Sequence, residues 1–305
     1  MDNMTWQEEV NKMARGIRLR VLEHTIMENG GYLCQACSSA EIMSTLYKKI
    51  LKLEKLDKPL MPGPFTGTPG KDHKAVTGVR FNGNHNPDCD SFILSPAQYA
   101  LVLYAALIEA GRMDENGMKE YNMDGGSVEM IGAEHSPGME VTTGSLGQGI
   151  SQAAGIAFAR KQRGDQGRVV VLLSDGECQS GEFWEAVQAA SFHHLDNILA
   201  FIDVNGYQCD GKMTTVMNIE PFEERLRSFG ACVHRIDGHD IEKIAEMGKM
   251  EACGKPTFVL CDTDPCHGLE FLREREPKYH YIRFLNQEDR ERYRGYYEKL
   301  ITEEN

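Results

Sequence analysis

No stretch of the 305-residue chain approaches the ~20 consecutive apolar residues needed to span a bilayer. Basic residues are scarce: 33 Lys and Arg stand against 46 Asp and Glu, a formal net charge of −13. That balance disfavours nucleic acid and anionic membrane surfaces as partners, since both need a basic face. The opening residues MDNMTWQEEV are acidic and polar and lack the pattern of a secretory signal. The expected compartment is therefore the cytoplasm, and the nine cysteines, an odd number scattered from Cys34 to Cys266, are expected to be reduced thiols. Cys34 and Cys37 form a CxxC with no second ligand pair at zinc spacing, so they read as incidental cysteines near a helix start. There is no internal repeat and no low-complexity tract.

The length allows about two domains at ~150 residues each, or one large α/β unit with a sizeable core. Hydrophobic residues make up 41% and charged residues 26%, as in an ordinary soluble enzyme. Helical spacing of apolar residues in WQEEVNKMARGIRLRVLEHTI predicts an amphipathic first helix. NGGYLCQAC reads as a break, after which Ser38 or Ser39 would cap SSAEIMSTLYKKILKL with Glu41 in its first turn. Lys58 to Asn86, rich in Pro, Gly, Thr and His, reads as a long irregular loop of functional type. FILS is a short strand candidate ahead of the helix PAQYALVLYAALIEAG. The glycine-rich TTGSLGQGIS then runs into the helix QAAGIAFARKQRG.

RVVVLLS and NILAFID are continuous apolar runs of strand length, the pattern of parallel strands buried on both faces. The helix EFWEAVQAASFHHL lies between them. ACVHRID and PTFVLCD add two more strands around the helix DIEKIAEMGKME, and a charged helix, NQEDRERYRGYYEKLITEEN, closes the chain. Alternating strands and helices predict an α/β fold with a parallel sheet, whose ligands bind beyond the carboxyl ends of the strands. Asp175–Gly176 ends the first apolar strand and Asn205–Gly206 the second, 30 residues later, which is the length of one strand–helix–strand unit. Either dipeptide alone is a turn signal. Together they place an Asp and an Asn oxygen at one sheet edge, a donor set suited to Mg²⁺ and a diphosphate. The helix starting near Gly181 turns its positive end to the same edge.

SDGECQSGEFWEAVQAASFHHLDNILAFIDVNGYQCDG closely resembles the thiamine-diphosphate motif of the transketolase family, which opens on GDG and closes about 30 residues later on Asn. VTTGSLGQGIS resembles the family's TTGPLGQGI segment. The resemblance implies that residues 1–305 form a single diphosphate-binding (PP) domain with an N-terminal helical segment and a C-terminal helix. By position it implies Asp175, Asn205 and the Tyr207 carbonyl as Mg²⁺ ligands, with Ca²⁺ able to substitute. It places Gly144, Leu146, Ser174, Gly176, Glu177 and Asn205 around the thiamine diphosphate. Ser174 stands where the motif has its first Gly, which is harmless unless that position needs a positive φ, at a cost of ~1 kcal/mol. Glu185 matches a carboxylate at the family's subunit interface, and its companion carboxylate is Ser180 here.

On the substrate side, Tyr32 and Gln98 stand where the family has histidines, in GYLC and FILSPAQYA. His135, in GAEHSPG, is the candidate for a third histidine, and His280, in GLEFLREREPKYH, for a fourth; His267 competes with His280, and His193–His194 read as a helix end. Tyr and Gln keep hydrogen bonding but cannot relay protons near neutral pH. The activating glutamate of the family lies in a second, pyrimidine-binding domain. The resemblance therefore implies a partner subunit carrying that domain, an α₂β₂ assembly, and transfer of a two-carbon unit from a ketose-type donor to an aldehyde. Two other functions are compatible with a chain of this kind: the α chain of a 2-oxo-acid dehydrogenase, and a non-catalytic cofactor-binding subunit.

Overall fold

The computed structural model describes residues 4–67, 70–71, 76–83 and 86–302. Parts of the Lys58–Asn86 loop and the last three residues expected in the closing helix lie outside the described residues. Helices are α1 (Trp6–Met27), α2 (Leu33–Thr45), α3 (Ala100–Glu109), α4 (Gln148–Arg163), α5 (Gly181–Phe192), α6 (Met213–Val216), α7 (Phe222–Ser228), α8 (Ile241–Met247) and α9 (Gln287–Thr302). Strands are β1 (Gly30–Gly31), β2 (Ser91–Leu94), β3 (Val169–Ser174), β4 (Ile198–Val204), β5 (Tyr207–Gln208), β6 (Gly211–Lys212), β7 (Cys232–Asp237), β8 (Thr257–Asp262) and β9 (Ile282–Arg283). Among the described residues, no helix is long and apolar enough to cross a membrane.

The fold is α/β, as the alternating pattern predicts. Its centre is a five-stranded sheet of order β2-β3-β4-β8-β7, parallel throughout. Side chains alternate faces along a strand, and here both faces are covered. Val170 and Leu172 join a core with α1, α2 and α3, while Val169, Val171 and Leu173 join a second core with α4, α5 and α7. Burial on both sides is why β3 and β4 read as unbroken apolar runs.

Local chemistry sets the helix ends. Thr5 and Glu8 form a reciprocal capping box at the start of α1. α4 runs between Gly147 and Gly164, whose φ angles of 89° and 76° suit glycine. It begins at Gln148, earlier than the sequence pattern shows. α2 also departs from expectation. It starts at Leu33, so NGGYLCQAC enters the helix instead of breaking the chain, and Ser38 and Ser39 are fully buried inside it. Neither serine is a cap. Ser39 donates back to the Gln35 carbonyl at 2.6 Å, and Ser38 donates to Asp203 at 2.6 Å. Cys34 and Cys37 are buried in the same helix, and burial pushes both thiols up. Of the nine cysteines, Cys232 and Cys253 are joined by a disulfide, which corrects the expectation of nine reduced thiols. They meet because Cys232 opens edge strand β7 beside the turn that leads into β8.

Glu41 is buried in the middle of α2, not at an exposed helix start. Arg18 from α1 donates to its Oε2 at 2.5 Å, and His239 Nδ1 bonds the same oxygen at 3.0 Å. His239 Nε2 accepts from the Asp264 N–H, so both ring nitrogens are committed and the Nδ1 proton points at Glu41. Burial opposes ionisation of Glu41, but the His239 bond and the Arg18 charge outweigh it and hold the pKa at about 2. Glu41→Ala should therefore destabilise the chain by about 3–5 kcal/mol in urea denaturation, because it strands a buried guanidinium. The depressed pKa adds stability that is complete above the ordinary carboxyl pKa of 4.5. That stability is lost as pH falls through about 2. A Glu41→Ala chain as stable as wild type at neutral pH would contradict this.

Candidate functional site

Strands β3 and β4 end side by side, with Ser174 opposite Asp203. Asp175 follows at once, 2% exposed, and ties the two strand-end loops together. Its Oδ1 accepts from Gly176 N and its Oδ2 from Gly206 N, both at 2.8 Å. Asn205 Oδ1 accepts from Tyr207 N at 3.0 Å, and Gly206 takes a φ of 74° that favours glycine. The chain then turns back through the β5–β6 hairpin.

Asp203 is fully buried and accepts hydrogen bonds from Ser38, Tyr99, Thr263 and Asn205. Burial raises its pKa against those donors. Asp175 is raised well above the usual carboxylate range, first by burial and then by the charge of Asp203, with the backbone donors opposing. Among the described residues, no Lys or Arg partners either carboxyl. Two adjacent buried carboxylates without a cation fit a divalent metal, which would offset their charge and could be held by the hard oxygens of Asp175 and Asn205.

Above this pair opens a cavity of about 440 Å³. Ser174, Gly176, Glu177, Asn205, Tyr207, Gly144, Leu146, Tyr32, Gln98 and His280 all line it. Ten of the residues singled out from sequence thus converge on one space, with Asp175 buried beneath it. Ser174 is the last residue of β3 and has no positive φ, so the Gly-to-Ser difference carries no backbone strain. Glu177 is buried and accepts from Ser95 Oγ; burial raises its pKa to about 7 despite its hydrogen bonds. Gly147 closes the approach of the TTGSLGQG segment, since a Cβ there would meet Ser180 Oγ at 2.1 Å.

At the other end, β1 pairs antiparallel with β9, Gly30 opposite Arg283 and Gly31 opposite Ile282. This clamp brings Tyr32 edge-on to His280 at 5.4 Å between ring centroids and to Tyr281 at 5.0 Å. Burial raises the Tyr32 pKa, so the phenol keeps its proton. Burial lowers the His280 pKa, so its imidazole is neutral near pH 7.

His135 does not line the cavity. Its ring packs on Phe65 at 4.4 Å and its Nε2 lies 3.1 Å from Glu129. His267 is also outside, stacked on His239 at 3.8 Å. His193 and His194 follow the end of α5. Glu185 is exposed on α5, and Ser180 caps that helix by accepting from Phe183 N. Sequence reasoning missed Asp203, Tyr99 and Gln35. Asp203 left one signal, a lone charge at the end of an apolar strand; the other two left none.

A family model described as "Transketolase, thiamine diphosphate binding domain" matches residues 77–269. A putative uncharacterized transketolase family protein of Sinorhizobium fredii is 34% identical over 279 residues, 90% of each chain. An apulose-4-phosphate transketolase subunit of Actinobacillus succinogenes is 28% identical over 90% of this chain and 91% of its own. The 6-deoxy-6-sulfo-D-fructose transketolase subunit SqwG of a Clostridium species is 30% identical over 87% and 88%. Among solved structures, transketolase from Campylobacter jejuni superposes with a TM-score of 0.71 at 22% identity, over all of this chain and 48% of its own, which speaks to the fold.

Proposed function

This chain belongs to the transketolase family, and from that premise we propose that it is the diphosphate-binding subunit of a split, Mg²⁺-dependent transketolase. The whole of residues 1–305 serves as its PP domain, in the cytoplasm. The enzyme moves a two-carbon unit from a ketose-type donor to an aldehyde acceptor. The observation that carries this is the uncompensated Asp175–Asp203 pair beneath a cavity that holds Asn205 and Gly176.

Asp175, Asn205 and the Tyr207 carbonyl would hold Mg²⁺, or Ca²⁺ in its place. Beside Ser174, Gly176 would offer its backbone N–H to the diphosphate once Asp175 turns to the metal, and Gly144 and Leu146 would lie along the aminopyrimidine. Thiamine diphosphate, when bound, supplies the electron sink for carbon–carbon cleavage. The chain's own work is to orient the donor. Tyr32 retains its proton and so gives a hydrogen bond instead of taking a proton, Gln98 offers an amide, and neutral His280 can accept or donate. His135 lies outside the cavity and has no part in this assignment.

Two of the relatives are named as subunits, and this chain spans about nine-tenths of each. By analogy a partner subunit carries the pyrimidine-binding domain and the activating glutamate, in an α₂β₂ assembly. The test is a substrate panel with both chains and the cofactor present. Ketose cleavage with an aldehyde acceptor should far exceed pyruvate decarboxylation. Because Tyr32 and Gln98 replace proton-relaying histidines, xylulose 5-phosphate should be a poor donor, with kcat/KM below about 10⁴ M⁻¹s⁻¹, and another donor should be preferred. Pyruvate decarboxylation without ketose cleavage would overturn the assignment in favour of a 2-oxo-acid enzyme.

A further inference from the structure

We propose that Gln35 is a specificity-determining residue that reads a hydroxyl on the two-carbon unit of the donor; this rests on the transfer activity proposed above. Gln35 sits in the first turn of α2, is 6% exposed and lines the cavity. The orientation of its amide is fixed by its neighbour. Nε2 donates to the His280 carbonyl oxygen at 2.9 Å, and a carbonyl can only accept, so the nitrogen must face it. Oε1 is then left buried with no hydrogen-bond partner among the described residues. A buried acceptor without a donor has given up its hydration for nothing in return. A site shaped for a ligand O–H accounts for that loss, because the bond is completed when the ligand arrives.

The surroundings specify what kind of ligand. Tyr32, three residues earlier, holds its ring edge-on to His280, and Gln98 lines the same cavity. No Lys or Arg is among the described lining residues. Tyr32, Gln98 and His280, which line the cavity with Gln35, are neutral hydrogen-bonding side chains fit for an uncharged hydroxyl. Gln35 acts in two ways: its N–H fastens the His280 segment, and its carbonyl accepts from the donor.

The reconstituted holoenzyme should be tested with β-hydroxypyruvate and pyruvate, two donors that differ by one O–H on the transferred unit and lose the same CO₂. Wild type should strongly favour β-hydroxypyruvate. Gln35→Leu also loses the bond to the His280 carbonyl, so it should slow both donors, but it should cut the preference by about 10-fold or more through the larger loss in kcat/KM for β-hydroxypyruvate. Gln35→Glu keeps acceptor oxygens but cannot donate to the His280 carbonyl. It should retain the preference while slowing both donors. Equal losses on both donors in Gln35→Leu, or an unchanged preference, would overturn the role of Gln35 while leaving the enzyme assignment intact. Should Gln35→Leu fail to assemble, Gln35→Met, similar in size and without an acceptor oxygen, should show the same loss of preference, and a preference retained there decides against the inference. No turnover of either donor by wild type would refute the transfer activity and this inference with it.

Discussion

Asp175→Asn should weaken Mg²⁺-dependent binding of thiamine diphosphate by about two orders of magnitude, or ~3 kcal/mol, measured calorimetrically on the reconstituted enzyme. The carboxylate is the one negatively charged ligand that the strand ends offer to a metal on the cavity side. Its neighbour Asp203 is taken up by Ser38, Tyr99, Thr263 and Asn205. Asn at 175 would keep a single acceptor oxygen for two N–H groups, Gly176 and Gly206, and would bring no charge to the cation. Thermal denaturation should show the same contrast. The cofactor with Mg²⁺ should raise the wild-type Tm by several degrees and leave the variant nearly unmoved, since a ligand raises Tm by binding the folded state. Asn205→Ala should be milder, because it removes a neutral oxygen that water can replace. Equal affinity in wild type and Asp175→Asn would put the metal elsewhere.

The second large effect concerns the partner. The purified chain alone should show no turnover above background, and adding the pyrimidine-domain subunit should restore it to the 1–10³ s⁻¹ range, roughly, of ordinary enzymes. The reason lies in the cavity lining, where Glu177 is the only carboxyl side chain among the described residues. It is buried and already accepts from Ser95 Oγ and, at 3.4 Å, from Ser174 N. No lining carboxylate is left to bond a pyrimidine nitrogen. The rim is also open: Leu146 is 43% exposed and Ile131 40%, apolar surface that a second subunit would cover. Robust turnover by this chain alone would refute the split arrangement.

Much of the sheet is legible in sequence because β3 and β4 are buried on both faces, which leaves apolar runs that nothing polar interrupts. The Asp175–Asn205 spacing is legible for the same reason, since both residues follow directly from those strands. What stays hidden depends on contacts far apart in the chain. Gly30 and Gly31 look like a helix break, but they form β1 against β9, some 250 residues away, and so α2 starts at Leu33. Ser38 resembles a cap, yet its partner is Asp203 across the sheet edge. Gln35 is inconspicuous until His280 stands beside it, 245 positions later. The Cys232–Cys253 bond depends on how β7 lies against β8, which spacing alone does not show. The place of His135 in the loop before TTG makes it a candidate for the substrate side, but its ring packs on Phe65 and does not line the cavity.

The most direct test of the central claim is a crystal structure of the two-subunit complex grown with thiamine diphosphate and Mg²⁺. The expected result is a metal held by Asp175, Asn205 and the Tyr207 carbonyl, with the diphosphate beside Gly176. Cofactor density away from the β3 and β4 ends, or a diphosphate bound there with Asp175 still fully engaged by the Gly176 and Gly206 N–H groups and no metal, would contradict it.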